Sequence, residues 1–422
     1  MGGPNACRYG SRLLVPLILL LAGCLGPCAA NGCPAGDLAC PRNGSVVCWG
    51  LAPLEATGAY IRAADEAGAG GSGGNSTQLL LLETDLAFSS LAAENSFVCG
   101  LADGGTRVAC WGSGLLPELV AAAAGSGQAG QSVAAVLPGD ASNAAVKLVT
   151  GDSSVCALLE DRSLECLGGC WVKGPRGSGS PFSPVLAGPG GAALECVDVA
   201  AGAQHVCCVL INGSVACFGS NAANQLGPPG AALPNSSTPV LVGDASLAFT
   251  GVAAGDAFSC GLLANGTAAC WGGYSDNSQE QLLPAGLRLV VGYAFDELAA
   301  KGATLCGVTS DSADLVCEGV ISSFIGADGY PGQVYSEEPV VIESLRSFAS
   351  LSVGGSGFYF HACGLEAGGQ ALCWGLDNEG QLGVDTGSKD GSMAAVAPAA
   401  VDTPLRFSSI AAGGAFTCAV VA

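Results

Sequence analysis

A short phrase recurs along the whole chain and constrains its fold more than any other feature. It consists of a cysteine, about nine residues with Asn-Gly or Asp-Gly near the middle, a second cysteine and, in most copies, an aromatic residue followed by glycine. The second cysteines are Cys48, Cys110, Cys166, Cys217, Cys270, Cys317 and Cys373. Their spacing of about 50 residues is typical of a repeat architecture, in which each unit packs against its neighbours.

Each end of the sequence contains half a repeat. Cys48-Trp49-Gly50 supplies the second half of the phrase, whereas Phe416-Thr417-Cys418 supplies a first half just before the sequence ends. The first cysteines also number seven: Cys99, Cys156, Cys207, Cys260, Cys306, Cys363 and Cys418. We therefore predict a closed all-β ring of seven units over residues 31–422. The last strand completes the first unit, and this closure removes exposed sheet edges.

Each unit is expected to contain a β-hairpin closed by a disulfide. Between Cys260 and Cys270, a three-residue loop with a left-handed Gly266 places the two cysteines opposite each other, within disulfide range. Such a bridge contributes about 3 kcal/mol in the chain-entropy model. The predicted pairs are Cys48–Cys418, Cys99–Cys110, Cys156–Cys166, Cys207–Cys217, Cys260–Cys270, Cys306–Cys317 and Cys363–Cys373.

The best-formed repeats resemble a known family. One runs from Ala201-Gly202-Ala203-Gln204-His205-Val206-Cys207 to Asn221-Ala222-Ala223-Asn224-Gln225-Leu226-Gly227, and another runs from His361 to Asn378-Glu379-Gly380-Gln381-Leu382-Gly383. Over residues 40–422 the pattern resembles the repeat of the regulator of chromosome condensation superfamily. The paired cysteines look most like the crinkly-type ectodomains of plant receptor-like kinases. The resemblance implies a seven-bladed β-propeller with a binding role.

Five cysteines lie outside both the seven pairs and the amino-terminal leader: Cys33, Cys40, Cys170, Cys196 and Cys208. We expect Cys33 to pair with Cys40 and Cys170 to pair with Cys196, which leaves Cys208 unpaired. In the third unit, Cys170-Trp171 competes with Cys166 for the position of the second cysteine. The total of 22 cysteines favours an oxidising compartment.

The amino terminus predicts a secretory signal over residues 1–30. Arg8 and Arg12 precede an apolar run, Leu13–Ala22, and small residues follow up to Ala30. The run is too short to span a membrane, and no other stretch is long and apolar enough, so no membrane span is expected. An alternative is a bacterial lipoprotein anchored at Cys24, because Leu21-Ala22-Gly23-Cys24 looks like a lipobox.

Five Asn-x-Ser/Thr sequons favour instead a eukaryotic secreted glycoprotein. They predict glycosylation at Asn43, Asn75, Asn212, Asn235 and Asn265.

The sequence offers few groups for catalysis. It has only two histidines, His205 and His361, and both precede a first cysteine at a position where other copies carry phenylalanine, so we expect them to be packing residues. Gly70–Gly74 formally matches a nucleophile elbow but is expected to be a linker. The five tryptophans are expected to pack in the blades; the alternative is that one exposed on a propeller face anchors a ligand. We predict no catalytic residue, no cofactor and no metal site.

The predicted function is therefore binding by a non-catalytic extracellular or cell-surface propeller. Its ligand is expected to be a protein or peptide, bound by loops on one face, and the longest inserts are Gly112–Gly139, Gly68–Gln78 and Trp171–Gly191. A formal net charge of −21 disfavours nucleic acid. The alternatives are the truncated ectodomain of a receptor-like serine/threonine kinase, a secreted enzyme inhibitor and, least favoured, a guanine nucleotide exchange factor. The sequence ends at Ala422, so a signalling output from this chain alone is not expected.

Overall fold

The strands of the chain form seven antiparallel β-sheets that follow one another in sequence. They belong to one unit, Arg42–Ala422. The fold is known from a computed structural model, which describes residues 41–50, 61–63, 79–82, 84–116, 133–136, 143–152, 154–168, 182–186, 191, 193–228, 235–243, 247–276, 279–282, 287–325, 331–343, 347–356, 359–384 and 394–422. The sheets are the blades of a seven-bladed β-propeller, so the predicted fold class is confirmed.

Blade 1 combines strands from both ends of the chain, and each of the other blades is made from consecutive strands. Blade 1 begins with β1 (Val46–Gly50), β2 (Ile61–Ala63) and β3 (Leu80–Leu82). Blade 2 contains β4 (Phe88–Ala93), β5 (Phe97–Ala102), β6 (Arg107–Gly112) and β7 (Val133–Val136). Blade 3 contains β8 (Ala145–Gly151), β9 (Ser154–Leu159), β10 (Leu164–Gly168) and β11 (Ser183–Pro184). Blade 4 contains β12 (Cys196–Ala201), β13 (His205–Leu210), β14 (Val215–Ser220) and β15 (Asn235–Val242).

Blade 5 contains β16 (Phe249–Ala254), β17 (Phe258–Leu263), β18 (Ala268–Asp276), β19 (Gln279–Leu282) and β20 (Arg288–Val290). Blade 6 contains β21 (Phe295–Lys301), β22 (Thr304–Thr309), β23 (Leu315–Ile325) and β24 (Pro331–Glu343). Blade 7 contains β25 (Phe348–Ser356), β26 (Tyr359–Glu366), β27 (Ala371–Leu376) and β28 (Ala394–Ala400). Blade 1 is completed by β29 (Phe407–Ala412) and β30 (Phe416–Val421). A 3-10 turn at Asp103–Gly105 is the helical segment of the described chain.

The two ends of the chain close the ring as the half-repeats predict. Strand β1 pairs with β30 along its whole length, and Cys48 lies directly opposite Cys418. These two cysteines form a disulfide with Cα atoms 4.0 Å apart. Blade 1 is therefore held together both by a β-ladder and by a covalent bond between residues far apart in sequence.

Each blade contains one disulfide between its second and third strands from the channel, which confirms the prediction of one bridge per blade. In blade 5 the loop is Ala264–Gly266, and Gly266 has a φ of 83°. In blade 2 the loop has one more residue and still places Cys99 opposite Cys110. Cysteines 10 residues apart thus enclose a three-residue loop, and cysteines 11 residues apart enclose a four-residue loop.

Blade 4 contains an eighth disulfide, which corrects one expectation. Cys196 forms a bridge with Cys208, with Cα atoms 5.8 Å apart, rather than with Cys170, and Cys208 is not unpaired. Successive residues of a strand point to opposite sides of its sheet, so Cys207 pairs with Cys217 while Cys208 pairs with Cys196 on β12. In blade 3, Cys166 takes the position of the second cysteine. The expected partners Cys33, Cys40 and Cys170 lie outside the described residues.

Aromatic residues fill the blades. The first residue of an inner strand contacts the tryptophan that follows the second cysteine, as in Phe88–Trp111, whose ring centroids are 5.6 Å apart. The four described tryptophans are all fully buried, as expected of packing residues. The glycine after several first cysteines makes room for the inner-strand ring, because a Cβ on Gly261 would lie 2.3 Å from Phe249. In blade 6 the corresponding aromatic is replaced by Glu318, which pairs with Arg288 of blade 5.

The propeller has two faces, which we name after their loops. The turn face contains the loops that join each inner strand to the second strand, such as Glu94–Ser96 in blade 2, together with the ends of the third strands. The hairpin face contains the loops between the second and third strands, such as Ala264–Gly266 in blade 5. Every inner strand runs from the hairpin face to the turn face, so equivalent residues of the seven blades lie at the same depth along the central channel.

Candidate functional site

A central channel lies between the seven inner strands and encloses a cavity of about 240 Å³. Its wall is made largely of small side chains, because the fifth and sixth residues of the inner strand are both alanine in five of the seven blades, as at Ala92-Ala93 and Ala299-Ala300. Short apolar side chains leave space along the axis and offer no hydrogen bonds. The side chains of the wall are therefore mostly short and apolar, and the charged side chains lie toward the two ends of the channel.

Toward the hairpin face, charged side chains of the inner strands link neighbouring blades. Lys147 of blade 3 forms a 2.6 Å ion pair with Asp198 of blade 4, and the second oxygen of Asp198 accepts a 2.9 Å hydrogen bond from the amide of Val252 in blade 5. Glu297 likewise accepts a hydrogen bond from Leu351 in the next blade. Burial raises the pKa of Glu297, and its hydrogen bond to Leu351 and the positive charge of Lys147 oppose that rise. These side chains stabilise contacts between blades.

The opposite end of the channel, which we call the turn-face mouth, has a different arrangement. In five blades the residue after the two small wall residues is glycine, whereas blade 2 has Glu94 and blade 6 has Lys301. The carboxylate of Glu94 and the ammonium of Lys301 form a salt bridge, and both side chains are buried. Because blades 2 and 6 are not neighbours in the ring, this pair spans the channel.

Two aspartates lie beside this salt bridge. Asp152 of blade 3 accepts a 3.0 Å hydrogen bond from the side-chain amide of Asn95, and Asp256 of blade 5 accepts a 3.1 Å hydrogen bond from the backbone of Gly302. The turn-face mouth thus consists of Glu94, Asn95, Asp152, Asp256 and Lys301. Three carboxylates and one ammonium give it an excess of negative charge.

Burial and this excess of negative charge perturb the acidic groups of the turn-face mouth. Burial raises the pKa of Glu94 to about 7; Lys301 opposes the rise, and the negative charge of Asp152 adds to it. Burial also raises the pKa of Asp256. The atoms Glu94 Oε2 and Asn95 Oδ1 are buried and have no hydrogen-bond donor among the described residues. The turn-face mouth is therefore rich in acceptors and poor in donors.

The two histidines stabilise blade contacts, as expected. His205 Nε2 lies 2.7 Å from the hydroxyl of Ser259 in the next blade, and His361 Nε2 lies 3.2 Å from the hydroxyl of Thr417. Both side chains are fully buried, and burial lowers the pKa of each to about 4. The described residues contain no group of three histidine, cysteine or acidic side chains that could hold a metal ion.

The Asn-x-x-x-Gln-Leu-Gly segment is also a contact between blades. Asn221 Oδ1 accepts a 2.9 Å hydrogen bond from the amide of Leu226, and the carbonyl of Gln225 accepts a 2.9 Å bond from the indole of Trp271 in the next blade. In blade 7 the position of Asn221 is taken by Asp377, rather than by Asn378. The repeat signature therefore makes hydrogen bonds within and between blades.

The remaining predicted positions lie on both faces or outside the described chain. Three sequon asparagines, Asn43, Asn212 and Asn265, are exposed at the hairpin face, and Asn235 is exposed where β15 begins, at the turn face. Asn75, Gly70–Gly74, Trp171, residues 1–30 and most of the three inserts lie outside the described residues. No helix of the described chain is long and apolar enough to cross a membrane.

Comparison with known proteins agrees with this geometry. The family model of the regulator of chromosome condensation (RCC1) repeat matches residues 368–420, and a second RCC1 repeat model matches residues 196–225 and 249–281. The chain therefore contains RCC1 repeats, and the predicted resemblance is confirmed.

Several solved structures are similar to the chain. Human WBSCR16 is 17% identical, with 90% of this chain and 99% of that chain covered and a TM-score of 0.67. Prp20p from Saccharomyces cerevisiae, whose binding properties to Gsp1p and histones are described, is 16% identical, with 90% and 92% covered and a TM-score of 0.63. The CRINKLY ectodomain of the Arabidopsis thaliana receptor kinase ACR4 is 21% identical, with 80% and 94% covered and a TM-score of 0.44. At these identities the similarity concerns the fold.

Proposed function

We propose that this RCC1-repeat propeller is a non-catalytic extracellular or cell-surface protein that binds a protein or peptide partner through its turn face. The observation that carries the proposal is the asymmetry between the two faces. The third strands that precede the long inserts, such as β6 and β10, end at the turn face, and the turn-face mouth opens there. Loops that depart from the repeat are where binding residues concentrate on a rigid scaffold.

Two β-ribbons add to the turn face. Strands β18 and β19 continue their pairing to Asp276 and Gln279, and strands β23 and β24 continue theirs to Ile325 and Pro331. Both ribbons extend beyond the disulfide-bonded part of the blade, and they belong to the adjacent blades 5 and 6. The two neighbouring ribbons offer a partner hydrogen-bonding backbone at the turn face.

The disulfides support an extracellular location. Eight bridges occur among the described residues, and structural disulfides form and persist in oxidising compartments. The proposal includes cleavage of a signal near Ala30 and glycans on Asn43, Asn75, Asn212, Asn235 and Asn265. Asn43, Asn212 and Asn265 lie on the hairpin face, and Asn235 lies on the turn face. Amino-terminal sequencing of the mature protein and its mobility shift after glycan removal test both points.

Binding in place of catalysis is supported by how the polar residues are used. The histidines, Asn221 and Gln225 all take part in contacts within and between blades, so none of them is available to act on a substrate. A turnover assay that detects specific hydrolysis or group transfer by the purified protein would contradict this part of the proposal.

The binding face can be tested with matched variants. Purified protein serves as bait for extracellular proteins, and the affinity of the identified partner is then measured for Ala222→Arg and Ala264→Arg. Both alanines are exposed, the first on the turn face and the second on the hairpin face. We expect Ala222→Arg to weaken binding and Ala264→Arg to leave it unchanged. The reverse result would move the partner to the hairpin face.

A further inference from the structure

We propose that the outer edge of blade 5, formed by β20, binds an extended segment of a partner protein in which aliphatic residues alternate with basic or polar ones. The segment adds to the blade as a further β-strand. This edge lies on the outer rim of the ring, so the inference goes beyond the turn-face binding proposed above and does not depend on it.

Strand β20 presents an apolar edge. It pairs with β18, and no other strand among the described residues pairs with it. Val290 packs in the core at 2% exposure, whereas Leu289 is 50% exposed and Val291, directly after the strand, is 72% exposed. A sheet edge with unpaired backbone groups and aliphatic side chains is a template for pairing with another chain.

Blade 1 shows what such an edge accepts. Strand β3 has the position in blade 1 that β20 has in blade 5, because Leu81 and Leu289 each lie opposite the residue that precedes the second cysteine. In blade 1 the chain itself supplies a fifth strand, since β2 pairs with the outer side of β3 and Arg62 lies opposite Leu81. Leu81 is 5% exposed there. The propeller thus already contains an added strand at the edge that blade 5 leaves open.

The absence of proline distinguishes β20 from most other outer strands. Proline has no N–H to donate and is a common protection of sheet edges. It occurs in four of the outer strands, as Pro184 in β11, Pro239 in β15, Pro339 in β24 and Pro398 in β28. Of the outer strands without proline, β3 is covered by β2, and β7 has the small residue Ala134 at the position of Leu289. Strand β20 therefore combines an edge without proline with a large exposed aliphatic side chain.

The charge of the protein favours a partner segment over a second copy of the chain. The formal net charge is −21, so two copies repel each other, and a large net charge keeps proteins monomeric. A segment with lysine or arginine at its polar positions is attracted instead. The occupant that fits both the edge and the charge is therefore a basic strand with aliphatic residues at every second position.

Fluorescence anisotropy with a labelled model peptide, Thr-Val-Lys-Val-Lys-Val-Thr, tests the edge directly. The control peptide has proline in place of the central valine, which keeps its charge and removes one backbone donor. We expect saturable binding of the first peptide and binding of the control that is weaker by about tenfold or more. Equal binding of the two peptides, or no saturable binding of the first, would overturn the inference.

Two matched variants locate the peptide. Leu289→Lys should weaken its binding about tenfold or more, because it replaces an aliphatic contact with a charge at the edge. Leu241→Lys is the control: Leu241 is 57% exposed at the equivalent position of β15, so both variants should fold and both add one positive charge. Equal affinities of the parent and both variants would refute binding at β20.

Sedimentation velocity tests the other occupant of this edge. We expect the parent protein to be monomeric, and a dimer that Leu289→Lys dissociates would assign the edge to a second copy and overturn the inference. None of these measurements involves the turn face, so their failure leaves the proposed turn-face binding to be judged by the Ala222→Arg comparison.

Discussion

Removal of the Cys48–Cys418 disulfide should destabilise the propeller more than removal of any other bridge between a second and a third strand. Its two cysteines are 370 residues apart in sequence, whereas Cys260 and Cys270 are 10 apart. In the chain-entropy model, a bridge that closes the longer loop contributes about 6 kcal/mol and one that closes the shorter loop contributes about 3 kcal/mol. The other bridges shorten the long loop only slightly in the unfolded chain, which changes its closure entropy by a few tenths of a kcal/mol.

The two bridges can be compared directly because their burial and their backbone geometry are alike. All four cysteines are at most 1% exposed, and both bridges join directly opposed residues with Cα atoms 4.0 Å apart. The variants Cys48→Ala/Cys418→Ala and Cys260→Ala/Cys270→Ala therefore lose similar packing. We expect the first to lose about 3 kcal/mol more free energy of unfolding, measured with guanidinium chloride without reductant. Equal losses would refute the idea that covalent ring closure contributes a separate stabilisation.

Three further predictions concern buried groups. Burial lowers the pKa of each histidine from 6.5 to about 4, so the folded state loses about 3 kcal/mol of stability per histidine as the pH falls from about 6.5 to about 4. In the double variant His205→Phe/His361→Phe, the melting temperature should depend less on pH over that window. Gly261→Ala should lower the free energy of unfolding by about 1–3 kcal/mol through a clash with the inner-strand phenylalanine, whereas Gly368→Ala, with nothing within 4 Å, should be neutral. Because the partner carboxyl, Glu94, has a pKa of about 7, Lys301→Met should lose little ion-pair stabilisation near pH 5 and up to about 3 kcal/mol at pH 9, where that carboxyl is ionised; an equal loss at both pH values would contradict this.

The fold could be predicted from the sequence because repetition makes each local signal redundant. The spacing of the cysteines, the half-repeats at Cys48 and Cys418, and the loop at Gly266 specify the ring, its closure and the hairpin register. The pairing of Cys208 could not be obtained in the same way. Cys208 follows Cys207 directly, so the two face opposite sides of β13, and Cys208 pairs with the inner strand β12. The other repeats have no cysteine at the position of Cys208, so they give no guide to this pairing.

The candidate site could not be predicted because it lies where the repeat is broken. Glu94 and Lys301 are ordinary charged residues in the sequence, 207 positions apart, and no motif joins them. They come together only because each replaces the glycine that follows the small wall residues of its inner strand. An alignment of the repeats that asked which copies lack this glycine would have singled out both residues, although it could not have shown that they meet.

This origin separates the site from the packing of the repeat. In a repeat array each unit normally contacts only its neighbours, and the histidines, Gln225 and the tryptophans all follow that rule. The Glu94–Lys301 pair connects blades 2 and 6, which only ring closure brings face to face. Five blades have glycine at this position, so the fold does not require a charged residue there. A buried salt bridge with further carboxylates around it is also a poor source of stability compared with apolar packing. The charge at the mouth of this channel is therefore not explained by the packing of the repeat.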